Sequence, residues 1–172
     1  MKQLIEKIKD IDGQYIVFIN DIKFKGKRSM KWKEVKEYLK SYVGKFYETA
    51  ESKEVIYIGS DLPNEYTGSS YTYKLKGTVA KAKANATQGL KEIIEVAINK
   101  RSRENNKEKH KKDAKYGWYK YDMRFALPVY DGDMLIRYNI FNASIIIRHA
   151  DDGRRYLYDI IDIKKRNEQP TN

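Results

Sequence analysis

The chain contains no cysteine, which removes disulfides, thiolate nucleophiles and thiolate metal sites from its chemistry. That absence fits a reducing cytosol. Histidine is scarce, with only His110 and His149. No apolar run approaches the roughly 20 residues a membrane helix requires, and the opening MKQLIEKIKD is too charged for a signal peptide. A soluble protein without a membrane partner is the expectation. Metal motifs are missing as well: there is no HExxH and no EF-hand loop. The acidic residues of Asp131-Gly132-Asp133 and Asp151-Asp152-Gly153 are those of tight turns. Without a glycine-rich phosphate loop, nucleoside triphosphate chemistry has no support. The expected site therefore holds no metal and no cofactor. Acidic residues are in the minority, 24 against 35 basic, for a net charge of +11. A field of that sign attracts phosphates before any specific contact forms, so a nucleic acid is the leading class of partner.

At 172 residues the chain can bury a sizeable core as one domain. Its densest stretch is KHKKDAKYGWYKYDMRFALP, Lys109 to Pro128, where a polar, helix-compatible run ends at Gly117 and a strand begins. Tyr119, Tyr121, Met123, Phe125 and Leu127 share one side of that strand, and Lys120, Asp122 and Arg124 the other. Upstream, Leu4, Ile5, Ile8 and Ile11 recur at helical spacing over residues 1–13, and Gln14 to Ile19 reads as a strand. A helix is expected from Met30 with Ser29 as its cap and Trp32, Val35, Leu39, Tyr42 and Val43 as a core stripe. Glu54 to Ile58 reads as a strand, followed by a turn over Gly59 to Pro63. A helix capped by Ser69 or Ser70 then runs through Leu75, Val79, Ala82 and Ala86, with Lys74, Lys76, Lys81 and Lys83 on its other faces. Gln88-Gly89 interrupts it before a second helix from Leu90 to Ile98. The charged run Arg101 to Lys115 would by composition be a solvated, partly ordered loop, but the strand patterning that follows at once would hold His110 beside a sheet.

Asp131-Gly132 and Asp152-Gly153 are hairpin signals that divide the last third into three antiparallel strands, Trp118 to Tyr130, Leu135 to Ile147 and Tyr156 to Ile163. Taken as two-residue loops, they put Arg124 opposite Asn139, His149 opposite Tyr156 and Ile147 opposite Tyr158. Arg124, His149, Tyr156 and Tyr158 then share a face, with Arg148 and Asp159 on the other; one bulge would exchange the faces beyond it.

With cysteine and metal ligands set aside, the remaining chemistry belongs to His, Lys, Arg and Tyr. Such groups suit RNA, whose 2'-hydroxyl is an internal nucleophile: a base takes its proton, cations hold the phosphate, and an acid protonates the leaving 5'-oxygen. DNA lacks that nucleophile and would ordinarily demand a metal-activated water.

Four segments, YIGSDLPNEYTGSSYT (Tyr57 to Thr72), LKGTVAKAKANATQGLKEIIEVA (Leu75 to Ala97), ENNKEKHKKDAKYGWYKYDMRFALPV (Glu104 to Val129) and DGRRYLYDIIDIKK (Asp152 to Lys165), resemble a large polyvalent protein-associated domain of phage and conjugative-element proteins. That family is assigned to the barnase/EndoU/colicin/RelE-like nuclease fold. The resemblance implies an α+β fold, N-terminal helices packed on a C-terminal antiparallel sheet. Residues 51–165 would form the nuclease-like domain, 1–50 a strand and helix extension, and 166–172 a polar tail. It implies a metal-independent endoribonuclease with a toxin-like or mobile-element conflict role in a host bacterial cytoplasm. Partners would be tRNA, rRNA or mRNA and an immunity or host-defence protein. On the matching stretches His110 is the expected general base or acid, Arg124 the phosphate clamp and Tyr158 the orienting group or proton donor. Arg124 could instead pair with Asp122 or Asp159, and Tyr158 could be core. His149 is a reserve. Lys109, Lys120, Arg137 and Arg148 are the expected nucleic-acid contacts. A non-catalytic RNA-binding module and a phage factor that binds a host protein are the other classes left open.

Overall fold

The structure, a computed structural model, describes residues 3–26, 29–103 and 114–166. Strong period-two patterning builds its centre. Strands β6 (Gly117–Asp131), β7 (Met134–His149) and β8 (Arg155–Lys165) form the expected antiparallel meander. Tyr121, Met123, Phe125, Phe141, Ile145, Ile147, Leu157 and Ile160 turn to one side and are buried there. Helices α1 (Trp32–Leu39), α2 (Leu62–Gly68), α3 (Ser70–Tyr73), α4 (Gly77–Ala86) and α5 (Leu90–Val96) contribute the other half of this core through Val35, Leu39, Leu62, Tyr66 and Leu90. The architecture is α+β, as expected.

The order of its parts is not the expected one. Strands β1 (Ile5–Lys9), β2 (Tyr15–Ile19), β3 (Phe46–Glu48), β4 (Val55–Tyr57) and β5 (Ile98–Arg103) complete an eight-stranded sheet, ordered β1-β2-β6-β7-β8-β4-β3, with β5 also on β6. Two junctions are parallel, β2 on β6 and β4 on β8, so the sheet is mixed. Residues of the first fifty thus supply three strands and a helix to the same sheet and core. β5 takes the first half of one edge of β6, pairing Ile98 with Asp122, and β2 takes the next part, pairing Ile16 with Arg124.

Local departures have local causes. The segment expected as a first helix is β1, because the Asp10–Gly13 turn folds it back onto β2, with Gly13 N–H donating to Asp10 O at 3.0 Å. Its helical spacing was fortuitous: Ile11 is fully exposed and Ile8 nearly half so. Ser29 does not cap α1, whose cap position is Lys31. A helix, α2, occupies the end of the expected turn, since Pro63 fits a first helical turn where no N–H is required. Ser69 does cap α3, accepting from Thr72 N–H at 3.2 Å, but the long helix drawn through Leu75 is two, α3 and α4. Arg101 to Arg103, the start of the charged run, belong to β5.

Lys83 is the largest departure. Expected on a solvated face, it is fully buried, its ammonium 2.5 Å from Asp159 Oδ1 and 2.6 Å from Thr72 Oγ1. The rings of Tyr66 and Tyr71 stand 4.5 and 5.0 Å away. Burial pushes the Lys83 ammonium down in pKa and the Asp159 carboxyl up, each opposed by the other's charge.

Candidate site at one end of the sheet

The two hairpins decide which side chains share a face, and both differ from the expectation, the first in the position of its two-residue loop and the second in loop length. The first turns at Gly132-Asp133, since Asp131 pairs with Met134, and a bulge after Val129 sets Arg124 opposite Asn142. The second is a three-residue loop, Asp151 to Gly153, closed by Ala150 N–H donating to Arg154 O at 2.9 Å. Gly153 takes φ of 81°, the left-handed position such a loop requires. His149 consequently faces Arg155, and Arg148 faces Tyr156. Each odd slip inverts alternation, so His149 and Arg148 exchange places relative to the expectation. Arg124, Arg148, Tyr156 and Tyr158 share the face away from the helices. His149 lies on the helix side, with Tyr119 and Arg155.

That exchange assembles a second set of residues at the end of the sheet where β6 and β8 begin and β7 ends. The Tyr119 ring is its hub. Lys100 Nζ lies 4.4 Å from the ring centroid, Arg155 Cζ 6.0 Å and the His149 ring 6.1 Å. Tyr116 flanks the imidazole at 5.2 Å. Glu54, just before β4, links the two cations: it pairs with Lys100 and stands 2.6 Å from Arg155 Nε. Below this group the Tyr121 hydroxyl meets Ser52 Oγ at 3.4 Å, and burial pushes its phenol up to about 12.

The imidazole has a defined polarity. Gly153 O, 3.1 Å from Nε2, can only accept, so Nε2 carries the proton and the neutral ring has its lone pair at Nδ1. Nδ1 is covered and has no hydrogen-bond partner among the described residues. A covered acceptor without a donor costs about 1–3 kcal/mol, and such a group usually has a role besides packing. Glu54 stands against the Nε edge of the Arg155 guanidinium, and among the described residues no second carboxylate pairs with it. A base, two cations and two phenols at one partly open place are the groups that phosphodiester transesterification uses.

The expected site residues do not gather there. His110 and Lys109 lie outside the described residues. Arg124 is held by the β1–β2 turn, Nη1 2.8 Å from Asp10 Oδ2 and Nη2 2.8 Å from Asp12 Oδ2, not by Asp122 or Asp159. Its strand position is roughly 15 Å from that of Tyr158, so the two do not form one site. Tyr158 packs edge-on to Trp118 at 4.8 Å, in a small cluster with Ala114 and Ile146. Lys120 pairs with Asp162 at 2.6 Å, and Arg148 with Asp61 at 3.1 Å. Arg137 is exposed, roughly 40 Å of strand from His149.

Sequence reading missed Glu54, Lys100, Tyr119 and Arg155. A three-residue loop ending at Gly153 would have brought His149 and Arg155 together. Glu54 and Lys100 arrive through β4 and β5, whose pairings leave no local signal. No family model, curated protein or solved structure matches the chain.

Proposed function

We propose that the protein is an endoribonuclease that cleaves RNA through its 2'-hydroxyl without a metal, and that the Tyr119 cluster is its site. The observation that carries this reading is the convergence of His149, Lys100 and Arg155 on one tyrosine ring, with Glu54 between the cations. His149 is the base for the 2'-hydroxyl proton, and bound RNA must uncover its Nδ1 for the transfer to occur. The 2'-oxygen bonds to phosphorus as the bond to the 5'-oxygen breaks, and Lys100 and Arg155 hold the charge gathering on the non-bridging oxygens. The phenols of Tyr116 and Tyr119 are the proton donors nearest the imidazole for the leaving 5'-oxygen. A toxin-like role against host RNA, restrained by an immunity or host-defence protein, is the setting this reading carries.

Cleavage should leave a 2',3'-cyclic phosphate and a 5'-hydroxyl, and chelator should not slow it. His149→Ala should lower the rate about a hundredfold or more while RNA binding stays near normal. End mapping on total RNA decides the matter: 5'-phosphate ends or a magnesium requirement would refute the mechanism. One observation favours a second reading, an RNA-binding module that does not cut: Arg124, the expected phosphate clamp, is committed to Asp10 and Asp12. Intact RNA with salt-sensitive binding would select it.

A further inference from the structure

The face away from the helices carries a row that the cleavage reading does not use. Pairing runs Phe46 to Tyr57, Tyr57 to Tyr156, Tyr156 to Arg148, Arg148 to Trp118 and Trp118 to Arg103. One line perpendicular to six strands therefore holds four aromatics and two arginines. Phe46, Tyr57 and Tyr156 stand at centroid distances of 5.4 and 6.0 Å, tilted by 44° and 49° instead of stacked on one another. Arg154 lies over Tyr57 at 4.7 Å and Arg148 over Tyr156 at 4.4 Å. Phe46 is 59 % exposed, a large apolar side chain left in water at the sheet edge.

The row is held in place. Tyr156 donates its hydroxyl to Asp152 Oδ2 at 2.5 Å, and that carboxylate holds the phenol above its usual pKa. A Cβ at Gly59 would come within 3.1 Å of the Tyr156 ring and 2.8 Å of Asp61 Oδ1, so the backbone passes where a side chain would push the ring aside.

We infer that this row is a binding platform for an unpaired polynucleotide strand, its bases against Phe46 and the open flanks of Tyr57 and Tyr156 and its phosphates on the exposed Arg154, while Arg148, paired with Asp61, holds Tyr156 in place. Flat rings favour bases of any identity, and the exposed Arg154 beside them offers a contact to the backbone phosphate. A duplex, with its bases stacked inside, offers nothing to the rings. RNA and DNA single strands share this chemistry. The inference concerns binding and stands whether or not the Tyr119 cluster cuts.

The test is fluorescence anisotropy with labelled oligo-uridylate, oligo-thymidylate and a duplex of the same length. Oligo-thymidylate has no 2'-hydroxyl, so its binding is read independently of cleavage. Single strands should bind well above the duplex. Phe46→Ala and Tyr57→Ala should each weaken single-strand binding about tenfold. Arg154→Ala should weaken it and flatten its salt dependence, whereas Lys91→Ala, an exposed cation on the helix side, should change little. Tyr57→Phe keeps the ring and should bind like the parent, separating a stacking loss from a folding one. Equal affinity for duplex and single strand, or unchanged binding in both Phe46→Ala and Tyr57→Ala, would overturn the platform. A preference of oligo-uridylate over oligo-thymidylate identifies RNA as the occupant. Comparable binding of both leaves the platform general for single strands.

Discussion

Arg124 looks like a phosphate clamp in sequence and behaves as a tie in the structure. Its side chain is 18 % exposed and both terminal nitrogens are directed at the β1–β2 turn, where Asp10 also receives Arg166. The Arg166 hydrogen bond holds Asp10 below the usual carboxylate range, and the Arg124 hydrogen bond does the same for Asp12. Because both folded pKa values lie below the unfolded ones, near 4, this contribution to stability is present above that pH. It is lost as pH falls through the folded values. Arg124→Ala should cost about 2 kcal/mol at pH 7, read by urea denaturation. The variant should also lose less stability than the parent on acidification to pH 3. Equal losses on acidification would mean the turn is held by something else. His149 makes the complementary point: a residue beside a hairpin signal reads as part of a turn until the loop length is known, and one residue of slip turns it toward the helices.

At the scale of elements, α4 and β8 are joined by a buried charge. Ile146 pairs with Asp159 and Ile147 with Leu157, so β8 bulges at Tyr158–Asp159. The bulge points Asp159 inward to Lys83 and leaves Tyr158 outward beside Trp118. Lys83→Met would leave the carboxylate of Asp159 buried without its cation and should cost about 3–5 kcal/mol. The double variant Lys83→Met with Asp159→Leu should recover much of that loss, because the desolvation of both charges disappears together. Additive losses in chemical denaturation would count against the pairing as the source of the effect. None of this was legible from an alanine-rich helix, in which lysines ordinarily face solvent.

For the whole molecule, the first fifty residues decide whether the sheet is complete. Val17, Ile19, Val35 and Leu39 are wholly buried in the main core, and β2 lies directly on β6. Residues 51–166 produced alone should therefore lack a cooperative unfolding transition by circular dichroism, whereas the full chain should show one. Cooperative unfolding of the fragment would make residues 1–50 a true appendage. By itself the sequence determined the α+β class, the antiparallel meander after Gly117 and the positive charge, and narrowed one helix cap to Ser69 or Ser70, because periodicity, capping and composition act within a few residues. Tertiary structure alone decided that β2 and β4 join in parallel, that Lys83 is buried, and that His149, Arg155 and Lys100 gather around Tyr119 with Glu54 between the cations. These depend on loop length, bulges and pairings between residues as far apart as Glu54 and Arg155, where a slip of one position inverts every side chain beyond it.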